Sequence, residues 1–362
     1  MTDTHYGVNS PEAVKLWSKK LLREALKQTW CYKFMGTSSN DVCQILSDTN
    51  KGPGDRVRTI LRMQLSGLGV LGDATLEGSE ESLTTYTDDL LIDQIRHAVR
   101  SEGKMSEQRI PFSVREEARQ GLGDWFSGTI DTWFMNQLTG NSDVSDLRLT
   151  GNNSAIAPSA NNRIFGSTLA VPTAGEASLS ATTTHYFNLE LIDRAVAKAK
   201  TLSPMIRPIK DKGNDYYVAF IHPFQTYQLR TQSNATLGAQ WADIQRAAIQ
   251  GGDGSDNPIW TGALGVYNGT ILHESTRIPS ISTAAATVGT VRRAVFCGAQ
   301  SAVFATGKKD DATGSEASWF EELFDYGNKL GVSTGIIGGL KKNVYNSADF
   351  ATITISTYSP TL

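Results

Sequence analysis

The amino-acid sequence predicts an α+β fold, in which helices and antiparallel strands occupy separate stretches of the chain. A long helical pattern runs from Ser113 to Gly140, a period-two strand pattern follows a turn at residues 51–55, and the stretch from Ser318 onward consists mainly of strand patterns. Elements that are grouped in this way, rather than strictly alternating, are typical of α+β proteins and not of doubly wound parallel sheets.

Composition and charge narrow the class of protein. A chain of 362 residues can form two domains or one large body. Its net charge of -3 means that the whole molecule has no positive electrostatic field to attract nucleic acid. It contains no run of eighteen apolar residues, and residues 1–12 lack the regions of a secretory signal. Cys31, Cys43 and Cys297 are odd in number and lack CxxC spacing, so we expect buried, reduced thiols in an intracellular chain.

The first predicted helix begins at Ser10-Pro11, with proline at its favoured first position, and runs through Met35. Residues 1–35 carry six Lys or Arg against three acidic residues, so the local net charge is +3. This basic arm could face nucleic acid. An ordinary solvated helix face explains the same charges and is the favoured interpretation.

A two-stranded excursion follows the turn at 51–55. In residues 56–66 one face of a predicted strand is apolar and the opposite face carries Arg56, Arg58 and Arg62. A glycine-rich, acidic segment leads to a second extended run at 83–100. Residues 73–95 contain no Lys or Arg and hold seven carboxylates, namely Asp73, Glu77, Glu80, Glu81, Asp88, Asp89 and Asp93.

An isolated two-stranded excursion is marginally stable, so we expect this one to lie on a neighbouring copy of the same protein. The residues predicted at that contact between subunits are the arginines and the acidic end of the excursion: Arg56, Arg58, Arg62, Asp73, Glu77, Glu80 and Glu81. A calcium site built from the carboxylates is the alternative, but EF-hand spacing is missing.

The stretch 113–140, which we call the spine helix, is the longest predicted element. Ser113 and Glu116 form the pattern of a capping box, and apolar residues then recur at three- and four-residue steps. Gly140 follows the last of them, at the position where a helix often ends with a residue in the left-handed conformation. Twenty-five helical residues span about 37 Å. Its large aromatic side chains are predicted to form the core along the helix: Trp125, Phe126 and Trp133.

The rest of the chain mixes short helices and strands. Residues 141–187 are predicted to be a long irregular connection, after which Asn188 caps a helix. The further predicted elements are a buried strand at 215–221, helices at about 223–231 and 238–249, a loop at 251–258, and strands within 259–275, 292–305 and 318–357.

The sequence shows no assembled constellation for chemistry. The five histidines are scattered, and residues 304–311 and 335–342 both fail the phosphate-loop pattern. Cys297 lies in an apolar strand pattern, and Asp253 and Asp256 suit an ordinary glycine-rich turn. The sequence therefore predicts no catalytic residue, no cofactor and no metal site, and it favours an assembly protein over an enzyme.

From about residue 50 to the end, several longer motifs, taken in order along the chain, carry a resemblance to a known protein family. They are SGLGVLGDATLEGSEESL (66–83), RSEGKMSEQR (100–109), the spine helix with Trp125, Asp131 and LTG (138–140), NNRIFG (161–166), NPIWTGALGVYNGTILHES (257–275), FCGAQSAVFATG (296–307) and WFEELFDYGNKLGVSTGIIGGLKK (319–342). In these motifs the chain resembles the major capsid proteins of tailed bacteriophages, in particular those of short-tailed phages of the coliphage N-four type.

This resemblance implies the Hong Kong 97-type capsid fold. Its parts would be an N-terminal arm (1–50), an extended loop (51–104), the spine helix of a peripheral domain (105–140), an axial domain (141–310) and the return strands of the peripheral domain (311–362). The implied function is self-assembly, in hexamers and pentamers, into the icosahedral head shell around packaged double-stranded DNA. The implied location is the virion capsid, assembled in the bacterial host cytoplasm.

The resemblance also implies partners. No long scaffolding segment precedes the arm, so we expect a separate scaffolding protein, together with a portal, a possible cement protein and non-specific proximity to DNA, and no membrane contact. Residues 52–103 contain no lysine, so the lysine cross-linking known in one branch of this fold is not expected. Two other classes stay open: an α+β enzyme with a site built from scattered residues, and a carbohydrate- or receptor-binding virion module.

Overall fold

The fold is seen in a computed structural model of the chain. It describes residues 29–46, 55–63, 65, 67–73, 75–111, 113–166, 175–181, 183–231, 263–281, 291–307 and 317–360. Residues 10–28 of the first predicted helix, the predicted helix at 238–249 and the predicted loop at 251–258 lie outside these ranges.

Helices and strands alternate irregularly along the described chain. The α-helices are α1 Lys104–Gln108, α2 Val114–Thr139, α3 Leu189–Thr201 and α4 Pro223–Thr231. The 3-10 helices are Trp30–Phe34, Leu147–Leu149, Ala160–Asn162, Gly175–Ser178 and Thr183–His185. The strands are β1 Met35–Gly36, β2 Cys43–Leu46, β3 Arg56–Arg62, β4 Thr85–Leu91, β5 Asp93–Arg100, β6 Arg163–Phe165, β7 Ile209–Asp211, β8 Asn214–Ile221, β9 Gly265–Tyr267, β10 Thr270–Glu274, β11 Ser280–Ile281, β12 Val291–Cys297, β13 Ala302–Thr306, β14 Ala317–Phe324, β15 Lys329–Lys342, β16 Val344–Tyr345, β17 Ala348–Asp349 and β18 Thr352–Tyr358.

The spine helix, α2, has the predicted bounds. Gly140 ends it in the left-handed region with φ 59°. A Cβ at this position would lie only 2.6 Å from the Ile156 carbonyl oxygen, so both the backbone angle and the space require glycine. Ser113 stands at the N-cap, but its side chain makes no capping hydrogen bond, so the predicted capping box is wrong.

The end of the first predicted helix is also wrong. Trp30–Phe34 forms a 3-10 helix and Met35 is already extended. The cause is Asp131 of the spine helix, whose carboxylate accepts hydrogen bonds from the backbone N–H groups of Trp30 at 3.2 Å and Cys31 at 2.9 Å. This contact, with Phe34 buried against the helix, overrides the local helical pattern.

The strands form two main sheets. The small sheet has the order β1-β2-β13-β15-β14. Strand β5 also pairs with the long strand β15, on the edge opposite to β14. The large sheet has the order β6-β18-β12-β8-β10-β9, with β11 beside β12 and β7 beside β8. Strands β16 and β17 pair with each other, and β3 pairs with β4. This is the mixed arrangement predicted for an α+β protein.

The spine helix packs against both sheets. Its residues Phe126, Ile130, Trp133 and Phe134 share one core cluster with buried side chains from both sheets, such as Phe220 of the large sheet. The opposite face of the large sheet is covered by α3. The large sheet is therefore buried between two helices, and the spine helix joins it to the small sheet.

The two sheets cut across the predicted domain bounds. Strand β18, within the range 311–362, lies in the large sheet between β6 and β12. Strand β13, within 141–310, pairs with β15 in the small sheet. The division of the chain into an axial and a peripheral domain at these residues stays a prediction.

Candidate assembly surface

The excursion predicted at residues 56–100 is present as a ladder and a long tip. Strands β3 and β4 pair antiparallel over seven residue pairs, from Arg56 with Leu91 to Arg62 with Thr85. At about 3.4 Å per residue the ladder is roughly 23 Å long. Among the described residues these two strands form a sheet of their own, so the ladder does not extend either main sheet.

The root of the ladder is fixed to the small sheet. The Asp88 carboxylate accepts hydrogen bonds from the Lys341 ammonium and from the backbone N–H of Val344, the latter at 3.2 Å. Lys341 also donates to the carbonyl oxygen of Asp89 at 2.8 Å. Leu90 and Ile92 are buried in the cluster below this contact. The ladder therefore leaves the body at a defined place.

The arginine face of β3 lies in solvent, as the alternating pattern predicts. Arg56, Arg58 and Arg62 are exposed, whereas the residues between them on the opposite face are half-buried. Arg58 is paired within its own chain, because its guanidinium donates to Asp89 at 2.6 and 2.9 Å. This hydrogen-bonded pairing holds the pKa of the Asp89 carboxyl below its usual value. Arg58 thus already has a carboxylate partner before any neighbour arrives.

The tip, residues 65–83, is exposed along its described length except at the half-buried Val70. Backbone N–H groups of Gly67 and Gly78 donate to the Glu81 and Glu80 carboxylates, each at 2.7 Å, and these bonds shape the tip. Asp73 and Glu77 lie at turns on its surface. The four predicted contact carboxylates are therefore all presented outward.

Sequence reasoning missed the apolar residues of the tip. Its leucines are at least half exposed, and two of them almost completely: Leu65 57%, Leu68 104%, Leu71 92%, Leu76 60% and Leu83 58%. So many large apolar side chains in solvent indicate a protein contact surface. The signal available in the sequence was the three-residue spacing of Leu65, Leu68 and Leu71 in a glycine-rich segment too thin to form a core.

A groove runs beside the spine helix, with a volume of about 620 Å³. It is lined by residues of β5, the spine helix and two loops: Ile95, Arg96, His97, Asp124, Trp125, Gly128, Thr129, Thr132, Asp146, Arg148, Leu149 and Arg277. The Trp125 and His97 rings stack with centroids 4.7 Å apart. Gly128 leaves room for Arg277, whose guanidinium would lie 3.2 Å from a Cβ at that position.

The three aromatic residues predicted for the spine core lie in two environments. Phe126 and Trp133 are buried, at 2% and 1% exposure, and the Trp133 indole donates to the Arg148 carbonyl at 2.6 Å. Trp125 is half-buried at the groove. Successive residues of a helix point about 100° apart, so Trp125 packs at the edge of the cluster that buries Phe126 and leaves part of its ring at the groove.

Groups suited to catalysis are not assembled in the described part of the chain. No cluster of three or more His, Cys, Asp or Glu side chains there could hold a metal ion, and no helix there is long and apolar enough to cross a membrane. Cys31, Cys43 and Cys297 are buried free thiols, as predicted. Burial raises the pKa of Cys297 to about 12, which keeps the thiol protonated and a poor nucleophile.

A long helix that joins two sheets, a separate two-stranded ladder with an exposed apolar tip and buried, unreactive thiols are features of a structural subunit with a surface for contact. The comparisons with known proteins identify which kind. A family model for phage capsid protein matches residues 5–361, and the chain belongs to this family. It is a major capsid protein of a tailed phage, and its fold is the Hong Kong 97-type capsid fold, as the resemblance implied.

Individual relatives agree with this assignment. The chain is 28% identical over 382 residues to the major capsid protein of Pseudomonas phage KPP25, covering 97% of this chain and 96% of that one. The capsid of Ralstonia phage GP4 is similar at 34% identity and TM-score 0.77, over 91% and 90% of the two chains. The capsid of cyanophage Pam1 shares the fold, with 19% identity, TM-score 0.70 and coverage of 99% and 94%. The family assignment favours a structural role over the enzyme alternative.

Proposed function

We propose that copies of this capsid protein assemble into the hexamers and pentamers of an icosahedral head, and that the extended loop of each copy lies on its neighbour. The observation that supports this most directly is the set of exposed leucines at the tip of the ladder. The described part of the body leaves the tip uncovered, which favours its being covered by another surface. A tip on one subunit and a different receptor surface on the next make a head-to-tail contact, which closes into rings when the rotation allows.

The proposal includes the surroundings of the shell. The head encloses double-stranded DNA, is assembled in the bacterial cytoplasm with a separate scaffolding protein and a portal, and has a possible cement protein. A net charge of -3 supports a wall that does not grip the DNA it surrounds. The matching motifs support a narrower place among the short-tailed phages of the coliphage N-four type, and the five domain ranges given above belong to the same proposal.

The first test reverses charge at the tip. Glu77→Lys combined with Glu80→Lys should leave the subunit folded but block or misdirect assembly, because a shell repeats the same contact many times. Circular dichroism should stay native while sedimentation shows small oligomers. Glu190→Lys with Asp215→Lys is the matched control, since these exposed carboxylates lie outside the extended loop and change the net charge equally. Normal shells from the tip variant would mean that its carboxylates are only a solvated surface.

The second test concerns covalent bonds between subunits. Residues 52–103 contain no lysine, so between its end residues Lys51 and Lys104 the extended loop has no side-chain amine with which to form a cross-link. Mature particles boiled in denaturing detergent should release monomers of 39.3 kDa. The same gel run on particles treated with a chemical cross-linker shows where multimers would appear. A ladder of multimers without the cross-linker contradicts the prediction.

A further inference from the structure

We infer that Lys342 and Asp349 of the same chain become joined by an isopeptide bond once the subunit has folded. The bond links Nζ of the lysine to Cγ of the aspartate and releases one water molecule. It forms once per chain, within one subunit, so it is independent of the proposed assembly and of any cross-link between subunits. The observation that points to it is a buried amine in contact with a buried carboxylate oxygen that has no hydrogen-bond partner.

The geometry of this contact differs from that of an ordinary ion pair. Lys342 Nζ lies 2.7 Å from Asp349 Oδ1, and both side chains are only 1% exposed. The amine approaches off the direction of a hydrogen bond, so Oδ1 is left without a partner. The buried pair of Arg293 and Glu176, in contrast, makes two hydrogen bonds. An unbonded carboxylate oxygen is costly inside a protein, and the amine beside it is also close to Cγ, the carbon bonded to Oδ1.

Neighbouring groups hold both side chains in place. Lys342 is the last residue of β15, and its Nζ also donates to the Ile156 carbonyl oxygen at 3.1 Å. Asp349 is the last residue of β17, and its Oδ2 accepts from the backbone N–H of Ser159 at 3.1 Å. The backbone N–H of Asp349 donates in turn to the Ser159 hydroxyl at 3.3 Å. Two reactants fixed in this way react as if each were present at a concentration of about 10⁵ M or more.

The electrostatic surroundings favour attack by the amine. Burial lowers the pKa of the Lys342 ammonium, against the opposing effect of Asp349, and the charges of Arg293 and Arg163 lower it further. A lowered pKa makes the neutral, nucleophilic amine easier to reach. The Ser159 N–H points at Oδ2, the oxygen that carries the negative charge of the tetrahedral intermediate when Oδ1 is the leaving atom. The site therefore supplies a nucleophile, an electrophile and a donor for the oxyanion.

The reaction balances without any added reagent. The Lys342 ammonium gives one proton to Asp349 Oδ1, and the neutral amine then attacks Cγ and forms the C–N bond. A second proton passes from the nitrogen to the same oxygen as the Cγ–Oδ1 bond breaks, and this oxygen leaves as water. The third proton stays on the nitrogen as the amide N–H. One positive and one negative charge disappear together, which removes the cost of keeping them buried.

The bond would reinforce the place where the chain crosses between the two main sheets. Lys342 ends β15 of the small sheet, and β18 of the large sheet begins at Thr352. The isopeptide bond closes residues 342–349 into a loop of eight residues just before that crossing. An amide carries no charge that acid can neutralise, so this joint would hold at pH values that disrupt ion pairs.

The experiment is mass spectrometry of the C-terminal peptide, after the purified, folded protein has been denatured and digested with trypsin. Trypsin cleaves an unmodified chain after both Lys341 and Lys342 and releases residues 343–362, which contain no Lys or Arg. It does not cleave after a lysine whose amine is acylated. The expected product is therefore residues 342–362, lighter by one water molecule. Fragmentation of this peptide should break the backbone beyond Asp349 and release no piece from within the closed loop.

Lys342→Arg is the matched control, because it keeps the positive charge and the trypsin site but lacks the amine. Digestion of this variant should release residues 343–362 at full mass, and a blocked site there would overturn the inference. So would release of residues 343–362 at full mass from the folded wild-type protein. Cleavage after Lys342 with one water missing from residues 343–362 also overturns it, since that pattern indicates a succinimide at Asp349.

Discussion

Replacing Ile130 by proline is expected to leave the protein insoluble or unassembled. Ile130 lies in the middle of the spine helix, is 2% exposed and belongs to the core cluster that joins both sheets. Proline removes the backbone N–H that bonds to the preceding turn, and its ring clashes with that turn, at a cost of about 3 kcal/mol or more. The loss of buried side-chain contacts adds to this cost. Soluble yield, thermal unfolding and electron microscopy of the product measure the effect.

The matched control places proline at the start of the same helix. Val114 is the first helical residue, where an N–H has no partner inside the helix, and Ser113 before it is already extended. Val114→Pro should therefore fold and assemble, although it introduces the same residue into the same helix. Normal particles from Ile130→Pro would mean that the spine helix is not the element on which the fold depends.

Replacing Arg293 by methionine should be the second most damaging single change. Arg293 and Glu176 form an ion pair at 2.6 and 2.8 Å, and their side chains are only 4% and 3% exposed. The same guanidinium donates to the carbonyl oxygens of Thr139 and Gly140, at 3.2 and 2.8 Å, where the spine helix ends. The variant leaves a buried carboxylate without its main partner, which costs about 3–5 kcal/mol. Urea unfolding of the unassembled subunit measures this loss.

The dependence on pH distinguishes the ion pair from simple packing. Burial by itself raises the pKa of Glu176, but the hydrogen bonds and charges of Arg293, together with Ser356 and Arg163, outweigh it and hold the pKa below its ordinary value. A carboxyl with a lowered pKa stabilises the fold above its unfolded pKa, and this contribution is lost as the pH falls through the folded value. The gap in unfolding free energy between wild type and Arg293→Met should therefore narrow in acid.

A double variant provides the control for that measurement. Glu176→Gln with Arg293→Met removes both charges, so it should recover part of the stability lost in the single variant and show little of the acid dependence. Ser356, which donates to Glu176 at 2.6 Å, keeps an acceptor in the amide oxygen of glutamine. A gap between wild type and Arg293→Met that is constant with pH would mean that the damage comes from lost packing alone.

Local periodicity was enough to predict most elements. The left-handed stop at Gly140 is present, and the stripe of the spine helix is buried up to Ile130, beyond which residues 133–139 are buried on every face. The Asn188 cap is formed, since its side chain accepts from the Leu191 N–H at 3.1 Å. The alternating pattern of β3 appears as alternating exposure. These features depend on residues within a few positions of one another, so the sequence displays them directly.

By itself, then, the sequence determined the α+β class, the extent of the spine helix and the outward arginine face of the ladder. Only the tertiary structure decided that Asp131 bends residues 30–34 into a 3-10 helix, that Arg58 is paired with Asp89 and that β18 joins the large sheet. It also decided that Trp125 lies at the edge of the core beside a groove, while Phe126 is buried within the core. The physical reason is distance along the chain: Asp131 and Cys31 are 100 residues apart, and no local period encodes which distant side chain will satisfy a backbone N–H once the core has formed.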